Sequence, residues 1–316
     1  MGEVLRWVLI GLLAVGLLVS GAFALEMNEH YARVRGTSDV MSSPYGEVEF
    51  TQGGSGPAVL VIHGSGGGFD QGEILVDSVI GDRFHWITPS RFGYLRSTFH
   101  EGATFDDQAH AYAYLLDHLG IDKVAVVALS HGAPSALLFA ALHPDRVTSL
   151  ALISGGVAPS VSEDQAEANQ KGDMLTTIYK HDGLYWALTK LFRKQFLGLL
   201  GATPDVSAEL TPEQWVLVDR VVDEMNPVSL RSAGVAFDNR AELPGERIGA
   251  IQAPTLIFHA QDDTLQLYHN AEFAAAHIPN ARLVSFERGG HLALVTERAA
   301  IREALHKHIR ENASGL

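Results

Sequence analysis

Residues 123–144, KVAVVALSHGAPSALLFAALHP, decide the fold. Val124 to Leu129 is an apolar, β-branched run with the length and composition of a strand buried on both faces. Ala133 to Leu142 is rich in Ala and Leu and carries Pro134 in its first turn, where a missing N–H costs nothing, so it reads as a helix. Ser130 therefore stands on the corner between a buried strand and a helix. Strand and helix approach closely at such a corner, which needs small neighbours, and Ala128, Gly132 and Ala133 supply them. The corner lifts the hydroxyl to the carboxyl edge of a sheet, where the start of the helix points free N–H groups at whatever the serine attacks.

Working outward, the flanks repeat a strand, loop, helix rhythm. Gly46 to Thr51 alternates apolar and polar residues, Gly53 to Gly56 makes a turn, and Ala58 to Ile62 is a fully apolar strand; the pair reads as a hairpin. The glycine-rich HGSGGG at His63 to Gly68 follows. It lacks the Gly-Lys-Ser/Thr ending of a phosphate loop, and Phe69 stands where a dinucleotide fingerprint needs its third glycine, so a nucleotide site is rejected. Phe84 to Thr88 is a short strand, and Phe105 to Leu119 is an amphipathic helix with Gly120 as its stop. Val147 to Ile153 is a further strand. This alternation specifies an α/β fold with a mostly parallel sheet covered by helices on both faces.

Ala158 to about Gly249 breaks the rhythm. Leu184 to Leu200 carries Tyr185, Leu188, Phe192, Phe196 and Leu199 on one helical face, and Thr211, Pro212 and Gln214 open a further helix with a capping box. We read residues 158–249 as a helical cap inserted into a core of residues 44–157 and 250–316. Alternation resumes with strand Pro254 to Phe258, helix Tyr268 to Ala276, strand Arg282 to Phe286 and a helix from Leu292 to Ile309.

At the N-terminus, Trp7 to Ala24 carries no charge and is long enough to span a bilayer. Residues 1–24 are either a signal anchor or a signal peptide cleaved after Ala24, the poorly basic start favouring the anchor. Both readings put the following domain outside the cytoplasm, membrane-anchored or secreted. The polar residues 25–43 read as a tether.

Composition narrows the chemistry. With 316 residues, 47% of them hydrophobic, the chain can bury one large α/β core. Its 37 acidic against 23 basic residues leave a net charge of −14, which argues against a nucleic-acid partner. The absence of cysteine excludes disulfides and thiolate metal sites. Nothing in the sequence calls for an obligate protein partner.

A serine hydroxyl is a weak nucleophile at neutral pH, so Ser130 needs a base and an acid that orients it. Strand Pro254 to Phe258 runs into Asp262 and Asp263, and strand Arg282 to Phe286 runs into Gly289, Gly290 and His291. All these loops leave the carboxyl ends of parallel strands, where an open α/β sheet gathers its site.

From about Ser38 to His308 the chain resembles the α/β-hydrolases, nearest the esterase-like group that includes carbon–carbon bond hydrolases and cofactor-free haloperoxidases. HGSGGGFDQG at His63 to Gly72 resembles the family's oxyanion loop, SRFGYLRS at Ser90 to Ser97 a segment that often begins with Asp, and GGH at Gly289 to His291 the histidine loop. Two positions depart from the pattern: Ala128 replaces a glycine, and Ala260 replaces the glycine three residues before the acid. The resemblance implies Ser130 as nucleophile, His291 as base, Asp263 as acid, and the N–H groups of Ser65 and His131 as the oxyanion hole. The count of three from Ala260 favours Asp263 over Asp262, which is left to hold the turn through its own backbone. The implied activity is a serine hydrolase of small to medium carboxylic esters or lactones, without metal or cofactor. Carbon–carbon hydrolysis, haloperoxidase chemistry and a membrane-tethered binder without turnover are the alternatives. The remaining histidines, among them His110, His118, His143 and His259, show no ligand pattern and read as surface or satisfied core residues.

Overall fold

Strand residues that alternate between two buried faces organise the protein. The computed structural model describes residues 2–160 and 162–313. Helix α1 (Gly2–Val34) leads into β1 (Asp39–Ser43), β2 (Gly46–Gly53), β3 (Ala58–Ile62), α2 (Phe69–Leu75), β4 (His85–Pro89), α3 (Phe105–His118), β5 (Val124–Leu129), α4 (Ala133–Leu142) and β6 (Val147–Ile153). Next come α5 (Glu163–Ile178), α6 (Asp182–Leu191), α7 (Arg193–Leu199), α8 (Pro204–Glu209), α9 (Pro212–Glu224) and α10 (Ser232–Arg240). The chain closes with β7 (Thr255–Ala260), α11 (His269–His277), β8 (Ala281–Phe286), α12 (Ala293–Thr296) and α13 (Arg298–Ala313).

The eight strands form one sheet in the order β1-β2-β4-β3-β5-β6-β7-β8. β1 and β2 are antiparallel, and every pairing from β4 through β8 is parallel. Successive residues of β3 and β5 point to opposite faces. Leu60, Ile62, Val126 and Ala128 join one cluster with α3, α4 and α11, while Val59, Val61, Ala125 and Val127 join another with Ile301, Leu305 and Ile309 of α13. A third cluster lies among the inserted helices and includes Tyr179, Tyr185, Phe196 and Val222.

Several expectations change. The hairpin joins β1 to β2, not β2 to β3, because β4 lies between those two in the sheet. The segment read as one helix from Leu184 to Leu200 bends at Phe192, whose φ of −131° and ψ of 37° divide it into α6 and α7. The last helix is divided at Glu297 into α12 and α13. Thr211 does open α9 with a capping box, its hydroxyl accepting from Gln214 N–H while the Gln214 side chain accepts from Thr211 N–H.

The tether is the largest correction. Residues 25–34 continue α1 and dock on the body, and residues 39–43 form the edge strand. Several of their polar side chains turn inward: Tyr31 donates to Asp182, Lys190 pairs with Glu26, and the Arg33 guanidinium donates to Asp70 and to the carbonyls of Glu224 and Asn226. Met27 and Val34 are buried beneath them. Residues 2–22 of α1 are exposed, and the helix is long and apolar enough to cross a membrane.

Candidate active site

Parallel pairing brings the ends of four strands, β3, β5, β7 and β8, to one edge. Ile62 of β3 pairs with Ala128 of β5, Leu129 pairs with Ile153 of β6, Ile153 with Phe258 of β7, and Ala260 with Phe286 of β8. The residues that follow these strands, His63 to Gly68, Ser130, Asp263 and His291, therefore meet at one edge.

Ser130 sits at φ +51°, a left-handed conformation that costs a non-glycine residue about 1–3 kcal/mol. Neighbouring packing holds it there and sets the demand for small residues: a Cβ on Gly132 would lie 2.6 Å from the His63 carbonyl oxygen. Ser130 Oγ is 3.0 Å from His291 Nε2, and His291 Nδ1 is 2.8 Å from Asp263 Oδ2. The carboxylate accepts at Nδ1, so the proton is on that nitrogen and Nε2 is left to accept from the serine. Asp263 is buried, and its other oxygen accepts the backbone N–H groups of Leu265 and Gln266. Burial works to raise this carboxyl, but His291, His259 and the Leu265 N–H outweigh it and hold it below the ordinary carboxylate range.

Asp262 has a different partner from the one expected. It does not bond its own turn; its carboxylate accepts the N–H of Gly290 at 2.7 Å and faces that of Gly289 at 3.4 Å. The two adjacent acids thus grip one loop, Asp263 through the imidazole and Asp262 through the backbone.

The Gly-rich loop stands beside Ser130, since a Cβ on Gly64 would lie 3.2 Å from Ser130 Cβ. The N–H of His131 belongs to the first turn after the strand and that of Ser65 to the loop; neither has a protein acceptor among the described residues. His63 pins this loop. The Arg91 N–H donates to its Nε2 at 2.9 Å, so its Nδ1 carries the proton and donates to the Gly64 carbonyl. Burial, with Arg91 close by, pushes the His63 pKa well down, which keeps that tautomer neutral. The His131 ring receives a hydrogen bond at Nδ1 from the Gln266 side chain, and its pKa is lowered, chiefly by burial.

Sequence reasoning missed the buried supports of this edge. Arg91 forms a fork with Asp238 of α10 at 2.5 and 2.7 Å, and the Tyr94 hydroxyl gives its single proton to the same carboxylate. The contact between Ser65 Oγ and the Tyr94 oxygen, 3.2 Å, therefore has the serine as donor. Where the resemblance expects an acid at position 90, Ser90 instead donates to Glu49, a buried carboxylate reaching in from β2. His259, read as a satisfied or surface residue, is fully buried: its Nε2–H donates to the Gln266 carbonyl at 2.6 Å while Nδ1 has no hydrogen-bond partner. Its place at the end of β7, four residues before Asp263, was the available signal.

The inserted helices touch the site directly. The Gly201 carbonyl accepts the His291 N–H at 3.2 Å, and Gly201 itself, at φ +77°, could not carry a Cβ without meeting His291 Cβ at 2.7 Å. Arg231 donates to the Gly67 carbonyl and grips Asp70 through both guanidinium nitrogens. Ser130 is only 6% exposed beneath this layer.

Comparison with known proteins agrees with this architecture. A family model described as the alpha/beta hydrolase fold matches residues 57–298. The hydrolase YcgS of Bacillus subtilis is 28% identical over 263 residues, 81% of this chain and 92% of its own. A 2-hydroxy-6-oxo-6-phenylhexa-2,4-dienoate hydrolase of Burkholderia cepacia is 26% identical over 256 residues, 78% of this chain and 85% of its own. Among solved structures, a membrane phospholipase A aligns with a TM-score of 0.65 at 21% identity, covering 98% of this chain and 99% of its own, a likeness of fold. A sheet of this order, a strained serine corner and a family model spanning most of the chain lead to one conclusion: the chain belongs to the α/β-hydrolase fold family and is a hydrolase.

Proposed function

We propose that this hydrolase cleaves small to medium carboxylic esters or lactones through an acyl-enzyme formed on Ser130. The observation that carries the reading is the unbroken line from Ser130 Oγ to His291 Nε2 and from His291 Nδ1 to Asp263, at 3.0 and 2.8 Å. His291 takes the serine proton as Oγ attacks the carbonyl carbon, and returns it to the leaving alkoxide as the tetrahedral intermediate collapses. Asp263 holds the imidazole in the productive tautomer and stabilises the imidazolium. The N–H groups of Ser65 and His131 receive the developing oxyanion, and loss of one such donor costs about 3 kcal/mol of transition-state stabilisation. Water activated by His291 then hydrolyses the acyl-enzyme, so the cycle closes without a metal or cofactor. Helix α1 anchors the enzyme to a membrane through its exposed apolar run, with the catalytic domain on the extracytoplasmic side.

A second reading is cleavage of a carbon–carbon bond next to a ketone, supported by the name of the Burkholderia relative. The test is detergent-solubilised full-length protein assayed against p-nitrophenyl esters of several chain lengths, a lactone panel and a dienoate of the relative's type. Ester or lactone turnover abolished by Ser130→Ala, with labelling of Ser130 by a fluorophosphonate, is the expected result. Turnover of the dienoate alone selects the second reading. Equal turnover in wild type and Ser130→Ala removes the serine mechanism, and folded protein that neither labels nor turns over any substrate is a binder.

A further inference from the structure

We propose that the outer face of α6 and the start of α7 form an interfacial docking surface that seats the inserted helices on an anionic lipid bilayer beside α1. The proposal rests on the reading of α1 as a membrane-spanning helix. Helix α6 divides into three stripes at about 100° per residue. Tyr185 and Thr189 are buried. Gly183, Trp186 and Lys190 face α1: a Cβ on Gly183 would lie 3.9 Å from the Phe23 ring, Trp186 packs edge-on against that ring and donates to Glu26, and Lys190 pairs with Glu26. The third stripe is apolar and uncovered, with Leu184 42% and Leu191 72% exposed, and Phe192, at the bend into α7, is 52% exposed.

Position along α1 says what covers this stripe. The apolar run of α1 ends at Leu25, and α6 contacts the helix at Phe23 and Glu26. With α1 across the bilayer, Leu184, Leu191 and Phe192 stand at the boundary between hydrocarbon and headgroups. Trp186, which meets α1 at Phe23 and Glu26, lies at the same level, where amphipathic rings are favoured. Charge points the same way. The chain is acidic overall, yet of its six lysines four, Lys171, Lys180, Lys190 and Lys194, fall between residues 171 and 194. Lys180 and Lys194 are exposed and bracket α6 along the chain, while Lys190 is held by Glu26 of α1. A basic rim around exposed leucines attracts anionic headgroups and repels the same face of a second copy.

The absence of native cysteine makes single-site labelling direct. Full-length Leu13→Cys, Leu191→Cys and Glu303→Cys proteins, each carrying an environment-sensitive fluorophore, are reconstituted in vesicles of equal parts phosphatidylcholine and phosphatidylglycerol. Lipids bearing a nitroxide near the headgroup or deep in the acyl chain report contact, and aqueous iodide reports exposure. We expect the label at position 191 to be quenched several-fold more by the shallow nitroxide than the label at 303, and to be shielded from iodide. Adding Lys180→Glu and Lys194→Glu should reduce that quenching at least twofold. A label at 13 that the deep nitroxide does not reach overturns the spanning helix and the docking with it. Deep quenching at 13, with 191 no more quenched by lipid than 303, overturns the docking alone. Shielding of 191 from both iodide and lipid nitroxide marks a protein–protein contact and also overturns it. Quenching unchanged by the lysine reversals overturns the requirement for anionic lipid.

Discussion

Two adjacent aspartates hold the same loop through different groups. Asp263 meets the imidazole and Asp262 meets the backbone of the same loop, so their substitutions should fail in different assays. Asp263→Asn keeps the shape but removes the charge that fixes the tautomer, and should lower kcat by about 10⁴, measured on an ester that wild type turns over. Asp262→Ala removes a charge-assisted acceptor from two glycine N–H groups and should cost about 1.5–3 kcal/mol of stability in denaturant unfolding, with a far smaller change in kcat. A dead Asp262→Ala enzyme of normal stability would reverse the assignment. The placement of Asp263 opposite His291 was legible because strand ends and a three-residue count are local features. The Asp262 contact and the Arg91–Asp238 fork were not: Asp262 meets backbone N–H groups, which no residue type in the sequence marks, and Arg91 and Asp238 lie 147 residues apart with no motif to join them.

At the level of elements, the inner strands were readable because their apolar runs are short and bounded by turn residues, whereas β1, DVMSS, has no such run and was read into the tether. The bend at Phe192 was invisible because the stripe of Tyr185, Leu188, Phe192, Phe196 and Leu199 keeps helical spacing across it. The docked end of α1 was misread because its polar residues were taken for solvated ones, whereas Glu26, Tyr31 and Arg33 among them are docking contacts. Asp70 is the centre of those contacts. It is fully buried between Arg231 and Arg33, and although burial acts to raise it, the two guanidinium groups hold its pKa at about 2. The gap from the ordinary value of 3.8 corresponds to about 2 kcal/mol, present above pH 3.8 and lost as the pH falls toward 2. Asp70→Asn at neutral pH leaves a buried guanidinium unpaired and should cost about 3–5 kcal/mol. Arg33→Ala, with a partly exposed side chain, should cost about 1–3 kcal/mol. Chemical denaturation of the solubilised protein measures both, and equal stability of wild type and Asp70→Asn would refute the role given to this cluster.

Across the whole molecule, histidines set the acid tolerance. His63, His131, His143, His259, His306 and His308 all have pKa values below the ordinary 6.5, in each case chiefly through burial. The unfolded chain takes up protons on these groups near pH 6.5 while the folded chain resists, so their contribution to stability is complete above that pH and is lost as the pH falls. We expect the unfolding temperature to be flat at and above about pH 7.5 and to decline steadily between about pH 6.5 and pH 5, read by circular dichroism; a rise over that interval would contradict it. The position of the α1 contacts has its own meaning for the life of the enzyme. Among the described residues, the side chains that fasten α1 to the body, from Glu26 through Tyr31 to Arg33, lie beyond Ala24, with the Phe23 ring as the exception. On the anchoring proposed above, a protease cutting after Ala24 would remove the apolar run while leaving the clasp closed, so anchored and shed forms would share one catalytic body and differ only in where it acts.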